Sequence, residues 1–482
     1  MSELDHKTIK VKSFQGMIAL VQRTFLLQIV GVIATLLLAR FLGSETIGIF
    51  GVVNSIIAFL SYFSDVGLAG ALIQKKEQLT QEDLTTTFTI QQILVGSAVS
   101  IGLLLSPFLA DFYHLDMSGT WLLRALMISF FLSSLKTIPS IVLERKLDFQ
   151  KLVIPQILET LGFNIISVVL AWKGYGIWSF TWAALGRGII GLVAMYMIAP
   201  WKISFGISLP IAKRLFKFGI PFQSNSFLAL LKDDLLFLFL GRILPLSDMG
   251  YIYLAKKLAE LPLRTVMDNV MRVTFPAFSR LQHDTKVLKD AIEKTLFGIS
   301  LAVFPLYIGM IFFIRPFMEV FPKYQKWDGA IVSFYYLCVT SIIASLSSPL
   351  TNALNAIGKI TVTLLFMIMW IVLTWIFVVL FVSMIGYNGF ALALMVISVS
   401  VILVVIITQR YIPFSFWRSV RIPLFAASAQ GILYAMVVPR VPHTLVSLIL
   451  TGVVGLLLYT VILWNSEKDR LKDFIVTFRR KS

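Results

Sequence analysis

Long apolar stretches recur along the whole chain, separated by short polar breaks, and most are about 20 residues long, enough for a helix to cross a bilayer. The pattern predicts fourteen spans: 14–41, 46–72, 82–109, 119–142, 151–172, 176–200, 216–243, 248–274, 287–314, 329–355, 359–384, 387–411, 420–438 and 443–464. Thr80-Gln-Glu-Asp83 reads as a capping box that opens the third helix. Gly174-Tyr-Gly176 and Ile385-Gly-Tyr-Asn-Gly389 read as tight turns between spans. The first apolar stretch is interrupted by Gln22, Arg23 and Gln28 and reads as a retained helix, not a cleaved signal.

Composition agrees with this pattern. With 58% hydrophobic and 14% charged residues, the 482-residue chain reads as an all-α polytopic membrane protein. The net charge of +17 is assigned to cytoplasmic loops rather than to nucleic-acid binding. With the N-terminus inside, Lys75, Lys76, Arg145, Lys146, Lys213, Arg214, Lys217, Arg410, Arg418, Arg421 and the basic tail fall on the cytoplasmic side. Arg40, Lys173, Arg242, Arg315, Lys323, Lys326 and Arg440 fall outside. The alternation holds through all fourteen spans and places both termini in the cytoplasm. Cys338, the single cysteine, excludes an internal disulfide and a cysteine-based metal site, and the four histidines have no metal-ligand spacing. No cofactor or metal is expected.

A weak internal repeat adds a symmetry. Arg40-Phe-Leu-Gly-Ser-Glu-Thr-Ile-Gly48 aligns without gaps on Arg242-Ile-Leu-Pro-Leu-Ser-Asp-Met-Gly250. The same register lays Phe14 on Phe216, Ile18 on Ile220, Phe25 on Phe227 and Leu26 on Leu228. An offset of six helices makes the two halves parallel repeats. The expected organisation is an N-lobe (1–200, spans one to six), a cytoplasmic linker (201–215) and a C-lobe (216–411, spans seven to twelve). Spans thirteen and fourteen with a basic cytoplasmic tail (412–482) follow. The two pseudo-symmetric six-helix lobes would enclose a central cavity.

Charge inside the spans is costly and needs a partner or a watery path. The eighth span carries Lys256, Lys257, Glu260, Arg264, Asp268 and Arg272, many of them one turn apart with alternating sign, beside Pro262. Polar residues also fall in the other early spans of each lobe. The cations Arg23, Arg124, Lys136, Lys232, Lys256, Lys257 and Arg264 are expected to form a cationic wall for an anionic cargo such as pyrophosphate. Asp65, Asp233, Asp234, Glu260 and Asp268 would balance these charges or couple to an ion. The competing reading is that each charge is a paired strut between helices.

Several stretches carry a family resemblance. In the first half they are Leu38-Ala-Arg-Phe-Leu-Gly43, Ser64-Asp-Val-Gly-Leu-Ala-Gly-Ala-Leu-Ile-Gln-Lys-Lys76, Leu79-Thr-Gln-Glu-Asp-Leu-Thr85 and Leu143-Glu-Arg-Lys-Leu-Asp-Phe149. In the second they are Gly241-Arg-Ile-Leu244, Leu254-Ala-Lys-Lys-Leu-Ala-Glu-Leu-Pro262 and Phe275-Pro-Ala-Phe-Ser-Arg-Leu-Gln282. In these the chain resembles bacterial polysaccharide transporters: the lipopolysaccharide (O-antigen, colanic-acid-type) and exopolysaccharide repeat-unit flippases of the multidrug/oligosaccharidyl-lipid/polysaccharide exporter superfamily. The resemblance implies two six-helix bundles plus two helices, alternating access, and an undecaprenyl-pyrophosphate-linked oligosaccharide as cargo. It implies the bacterial inner membrane. Membrane lipid and polysaccharide polymerase or assembly proteins are the partners this reading allows, and one of the acidic residues could couple to a proton or sodium ion, or to none.

Two other readings compete. A small-molecule or drug exporter of the same superfamily would favour an acidic, aromatic cavity, whereas these spans read basic. A membrane polymerase or ligase would need catalytic groups, and the longest outer loop, around 315–328, has no histidine and no evident acid/base pair. No phosphate-binding glycine-rich loop is present. The expectation is a transporter, not an enzyme.

Overall fold

The computed structural model describes residues 26–65, 67–75 and 77–479, and within them omits the side chains of 63–65, 221, 222, 224–229, 469 and 471–479. It is helical throughout. In chain order the helices are α1 (Leu26–Phe41), α2 (Ser44–Asp65), α3 (Leu68–Gln74), α4 (Gln81–Phe112), α5 (Met117–Ser134) and α6 (Thr137–Arg145). Next come α7 (Phe149–Trp172), α8 (Trp178–Ile198), α9 (Leu209–Lys232), α10 (Asp234–Ile243), α11 (Leu246–Leu281) and α12 (Thr285–Val320). A 3-10 segment, Pro322–Ala330, leads into α13 (Ile331–Ala356), α14 (Ile360–Ile385), α15 (Asn388–Ser398), α16 (Val401–Tyr411), α17 (Phe416–Val437) and α18 (Leu445–Arg479).

Among the described residues, ten helical segments are long and apolar enough to cross a membrane, and the α5–α6 pair makes an eleventh if its 42° bend lies within one span. Helices also cover the expected seventh and eighth segments and the described part, 26–41, of the first. The first falls short because only those residues are described, the seventh because it divides between the polar α9 and the ten-residue α10, and the eighth because α11 is too polar. Large apolar side chains point outward along the spans: Leu104 is 80% exposed, Leu365 60% and Leu457 58%. This is the surface a helix shows to lipid, where backbone polar groups must be satisfied within the helix.

Local signals set the helix ends. The Thr80 hydroxyl accepts from the Asp83 N–H at 3.1 Å while Asp83 accepts the Thr80 N–H at 2.9 Å, so the expected capping box forms. Asp116 caps α5 by accepting the Gly119 N–H at 2.7 Å. The expected turns close on Gly174 and Gly176 (φ +85° and +54°) and on Gly386 (φ +66°), a backbone region that favours glycine.

The chain divides into two compact units, Met1–Gly250 and Tyr251–Ser482. In the first, α7 and α8 pack along their length and α5 lies against α8. Phe50 stacks on Phe180 with ring centres 4.1 Å apart, and Gly191 leaves room for the Glu159 side chain. A second cluster, Leu68, Leu72, Phe88, Ile138, Ile141 and Leu215, joins α3, α4, α6 and α9. In the second unit α12 packs on α13, α17 and α18, and α13 on α15 and α16. There the buried Tyr434 fits against Gly455, where a Cβ would overlap its ring, and donates to the Gly452 carbonyl at 3.1 Å.

Candidate functional site

The charged run of α11 keeps its charges in an ordered row. Glu260 is the centre: Arg264 donates to it at 2.8 Å, and the Lys256 ammonium lies 3.8 Å away on the other side. Both pairs are i,i+4, which places the three side chains on one face. Lys257 has no carboxylate partner among the described residues and sits over the Tyr253 ring, 5.8 Å from its centre. Arg264, Asp268 and Arg272 are exposed. Farther along, Thr265 and Asn269 satisfy themselves on the carbonyls one turn back, of Leu261 and Thr265. The exposed end of the row therefore presents Arg264 and Asp268, while Lys256, Lys257 and Glu260 lie half-buried.

The expected site residues of the first unit have separate partners. Arg124 donates its Nε–H to Ser106 at 2.9 Å and stacks over Trp121 at 5.1 Å. Lys136 occupies the break between α5 and α6, where the helix axis turns by 42°. Its ammonium is ion-paired to Glu159, a buried carboxylate of α7, and Arg187 Nε lies 4.0 Å from the other Glu159 oxygen. Lys232 ends α9, the exposed Asp233 forms the joint and Asp234 opens α10. Arg23 and the Asp65 side chain lie outside the described residues. Among the described contacts, Lys256 and Arg264 are the only two of the expected cations to share a carboxylate.

Two arrangements had no counterpart in the sequence reading. Glu159 lies within the expected fifth span, but its ion pair with Lys136 depends on a contact between helices that periodicity does not report. The other is a hub at Asp83. Beyond its capping role, this fully buried carboxylate takes the Lys75 ammonium at 2.5 Å and the Arg214 guanidinium at 2.7 Å. Arg145 braces the same corner by donating to the Leu72, Lys75 and Glu77 carbonyls at 2.6, 2.7 and 2.8 Å. The capping-box signal found Asp83 but not its two cations. No group of His, Cys, Asp and Glu suited to a metal ion occurs among the described residues.

Comparison with known proteins identifies the chain's relatives. The family model described as "Polysaccharide biosynthesis protein" matches residues 37–332. The chain is 24% identical to the lipopolysaccharide biosynthesis protein WzxC of Escherichia coli over 70% of its own length and 68% of the relative's. It is 25% identical to the succinoglycan biosynthesis transport protein ExoT of Rhizobium meliloti, over 59% and 57% of the two lengths. It is 26% identical to the teichuronic acid biosynthesis protein TuaB of Bacillus subtilis, over 62% of each. Among solved structures, the lipid II flippase MurJ in an inward closed conformation superposes with a TM-score of 0.77 at 14% identity, covering 95% of this chain and 100% of that one. An inward-facing multidrug transporter of the MATE family gives 0.61 at 17% identity, over 82% and 98%. The fold is that of these two transporters, and the chain belongs to the polysaccharide biosynthesis protein family, a group of multi-pass membrane transport proteins and not of enzymes.

Proposed function

We propose that this transporter is a flippase. It moves undecaprenyl-pyrophosphate-linked oligosaccharide repeat units across the bacterial inner membrane by alternating access, for surface polysaccharide (O-antigen or exopolysaccharide) synthesis. The observation that carries the reading is the family match over residues 37–332, held by a chain whose fold follows that of a lipid II flippase along 95% of its length. WzxC, ExoT and TuaB, by their names, serve the building of three different surface polymers. An amphiphile with a charged head and a long tail is the cargo these relatives would share.

The finer organisation belongs to the same proposal. It has fourteen spans, lobes of 1–200 and 216–411 around a cavity, a linker at 201–215, a C-terminal segment at 412–482 and both termini in the cytoplasm. The α11 row supplies the anion-binding face: Lys257, which has no carboxylate partner among the described residues, and the exposed Arg264 meet pyrophosphate or acidic sugars. Arg23, Arg124, Lys136, Lys232 and Lys256 complete the wall. Asp65, Asp233, Asp234, Glu260 and Asp268 balance it, with proton or sodium coupling at one of them. Polysaccharide polymerase and assembly proteins receive the product.

The test is mass spectrometry of lipid extracts from a deletion strain, beside an assay of its surface polymer. A complete repeat unit accumulating on polyprenyl pyrophosphate, with polymer lost, supports the proposal and identifies the sugar. Unchanged lipid intermediates with normal polymer reject it in favour of an ion-coupled drug or small-molecule exporter. In the complemented strain, Lys257→Ala and Arg264→Ala are expected to abolish export while leaving folded protein at the wild-type level.

A further inference from the structure

We propose that Tyr307 is a positioning residue for transport: its hydroxyl is built into the backbone of α11 beside Pro262 and sets the joint that carries the charged row. The inference rests on the transport reading above. Pro262 has no N–H, so the Leu258 carbonyl, one turn back, loses its helical donor. The next pair along the helix is the Ala259 carbonyl and the Leu263 N–H, which bond each other in a regular α-helix. Here the Tyr307 hydroxyl bridges them. It donates to the Ala259 carbonyl at 2.5 Å and accepts from the Leu263 N–H at 3.1 Å. Ser341 adds a second donor to Ala259 at 3.3 Å.

Tyr307 comes from α12 and is fully buried. A side chain inserted into the i to i−4 ladder next to a proline is a recognised cause of helix kinks. The joint lies inside the charged row. The Glu260–Arg264 pair spans the same step as Ala259–Leu263, one residue on, and Lys256 and Lys257 occupy the turn before. Any change in the joint therefore changes the direction of Arg264 relative to Lys257. A ladder step that also holds a side-chain hydroxyl can open or shorten while its N–H and carbonyl keep a partner in hydrocarbon. That is the property needed of a helix whose charges must serve two orientations of a cargo.

The experiment uses the full chain in lipid nanodiscs, with Tyr307→Phe, Pro262→Ala and the double variant. Amide exchange is followed by mass spectrometry over residues 258–266, and turnover with the lipid-linked repeat unit recovered from the deletion strain. Tyr307→Phe is expected to speed exchange at Leu263 roughly tenfold, because a buried donor loses its partner. Turnover should fall by at least a comparable factor while cargo retention stays within about twofold, the mark of a lost step rather than lost binding. Pro262→Ala gives the Leu258 carbonyl its N–H donor back and removes the ring that crowds this turn, so adding Tyr307→Phe should change neither exchange nor turnover further.

Wild-type turnover in Tyr307→Phe, or losses that multiply in the double variant, would overturn the proposal. If Tyr307→Phe alone does not fold, the comparison of Pro262→Ala with the double variant still decides, since both have a backbone N–H at position 262. Exchange needs no cargo. A deletion strain with normal lipid intermediates would end the flippase reading and leave the exchange cycle to judge the joint.

Discussion

Gly48 and Gly250 are packed reciprocally. A Cβ on Gly48 would overlap the carbonyl oxygen of Leu246 and reach the Gly250 nitrogen at 2.8 Å, and a Cβ on Gly250 would overlap the carbonyl oxygen of Ser44. Ser44 aligns with Leu246 and Gly48 with Gly250 in the internal repeat, so each repeat offers its glycine to the other's carbonyl. Such an i-to-j, j-to-i contact is the signature of a local two-fold relation. Two backbones cross there, where only hydrogen fits.

Gly48→Ala and Gly250→Ala should therefore each destabilise the protein by about 1–3 kcal/mol or more, the cost of overpacking a close contact. The neighbour that must yield is backbone, which has no rotamer to change. Gly96→Ala, in the middle of α4 with nothing within 4 Å of the added carbon, is the control. It should be neutral or slightly stabilising, since alanine favours helix over glycine. Thermal unfolding of the purified variants in detergent measures the contrast. Equal melting temperatures for all three would mean that the crossing opens at no cost.

The Asp83 hub predicts an order of effects. Asp83 is buried and serves two cations and a helix cap, so Asp83→Ala removes a buried partner and should cost about 3–5 kcal/mol. Lys75 is mostly covered and its loss should cost less. The Arg214 side chain is 55% exposed, so Arg214→Ala should cost only about 0–1 kcal/mol. Yield of monodisperse protein and its melting temperature give the ranking. A larger loss in Arg214→Ala than in Lys75→Ala would show that solvent screening does not govern this corner.

The sequence made these features visible to different degrees. Segments and turns were legible because burial in lipid imposes a single requirement, some 20 apolar residues per crossing, and because Thr80, Asp83, Gly174 and Gly386 act on their own backbone. The polar α11 row was legible because i,i+4 spacing is a property of one helix. Breaks within spans were not. The expected 119–142, 216–243 and 387–411 segments each divide, at Lys136, Asp233 and Ser400, because apolarity carries no information about φ and ψ. Contacts between helices were not legible either, which is why Lys136 was placed in the cationic wall with no partner named and Tyr307 drew no attention.

Lys136 can be separated from its neighbours by a double-mutant cycle. Glu159 holds it and lies near Arg187, so Glu159→Gln leaves two cations without their counter-charge. Glu159→Gln and Lys136→Met should each lower the amount of folded protein. The double variant should recover part of it, because a buried pair replaced together costs less than one partner removed alone. Export per folded molecule is the second readout. If the double variant folds and exports normally, Lys136 is a strut of the α5–α6 joint and leaves the proposed cationic wall; if it folds without exporting, Lys136 keeps its place there.

His443 gives a pH dependence outside the spans. It precedes α18, with Nδ1 against the Glu319 carboxylate and Nε2 at 3.0 Å from the Val438 carbonyl. Both nitrogens face acceptors, an arrangement that favours the doubly protonated imidazolium over the neutral ring. The hydrogen bond to Glu319 foremost, then the Val438 carbonyl, raise its pKa above the ordinary 6.5. A histidine whose folded pKa is raised adds stability that is fully present below 6.5 and is lost as pH climbs through the folded value. Melting temperature should therefore fall from about pH 6 to pH 8 in the native protein. His443→Gln, which keeps a donor but cannot charge, should flatten that slope while leaving the alkaline melting temperature nearly unchanged. Glu319→Gln should flatten it too, since the carboxylate is the larger cause of the shift. A slope unaltered in both variants would place the titrating group elsewhere, and would leave the tie between the ends of α12 and α18 without a charge of its own.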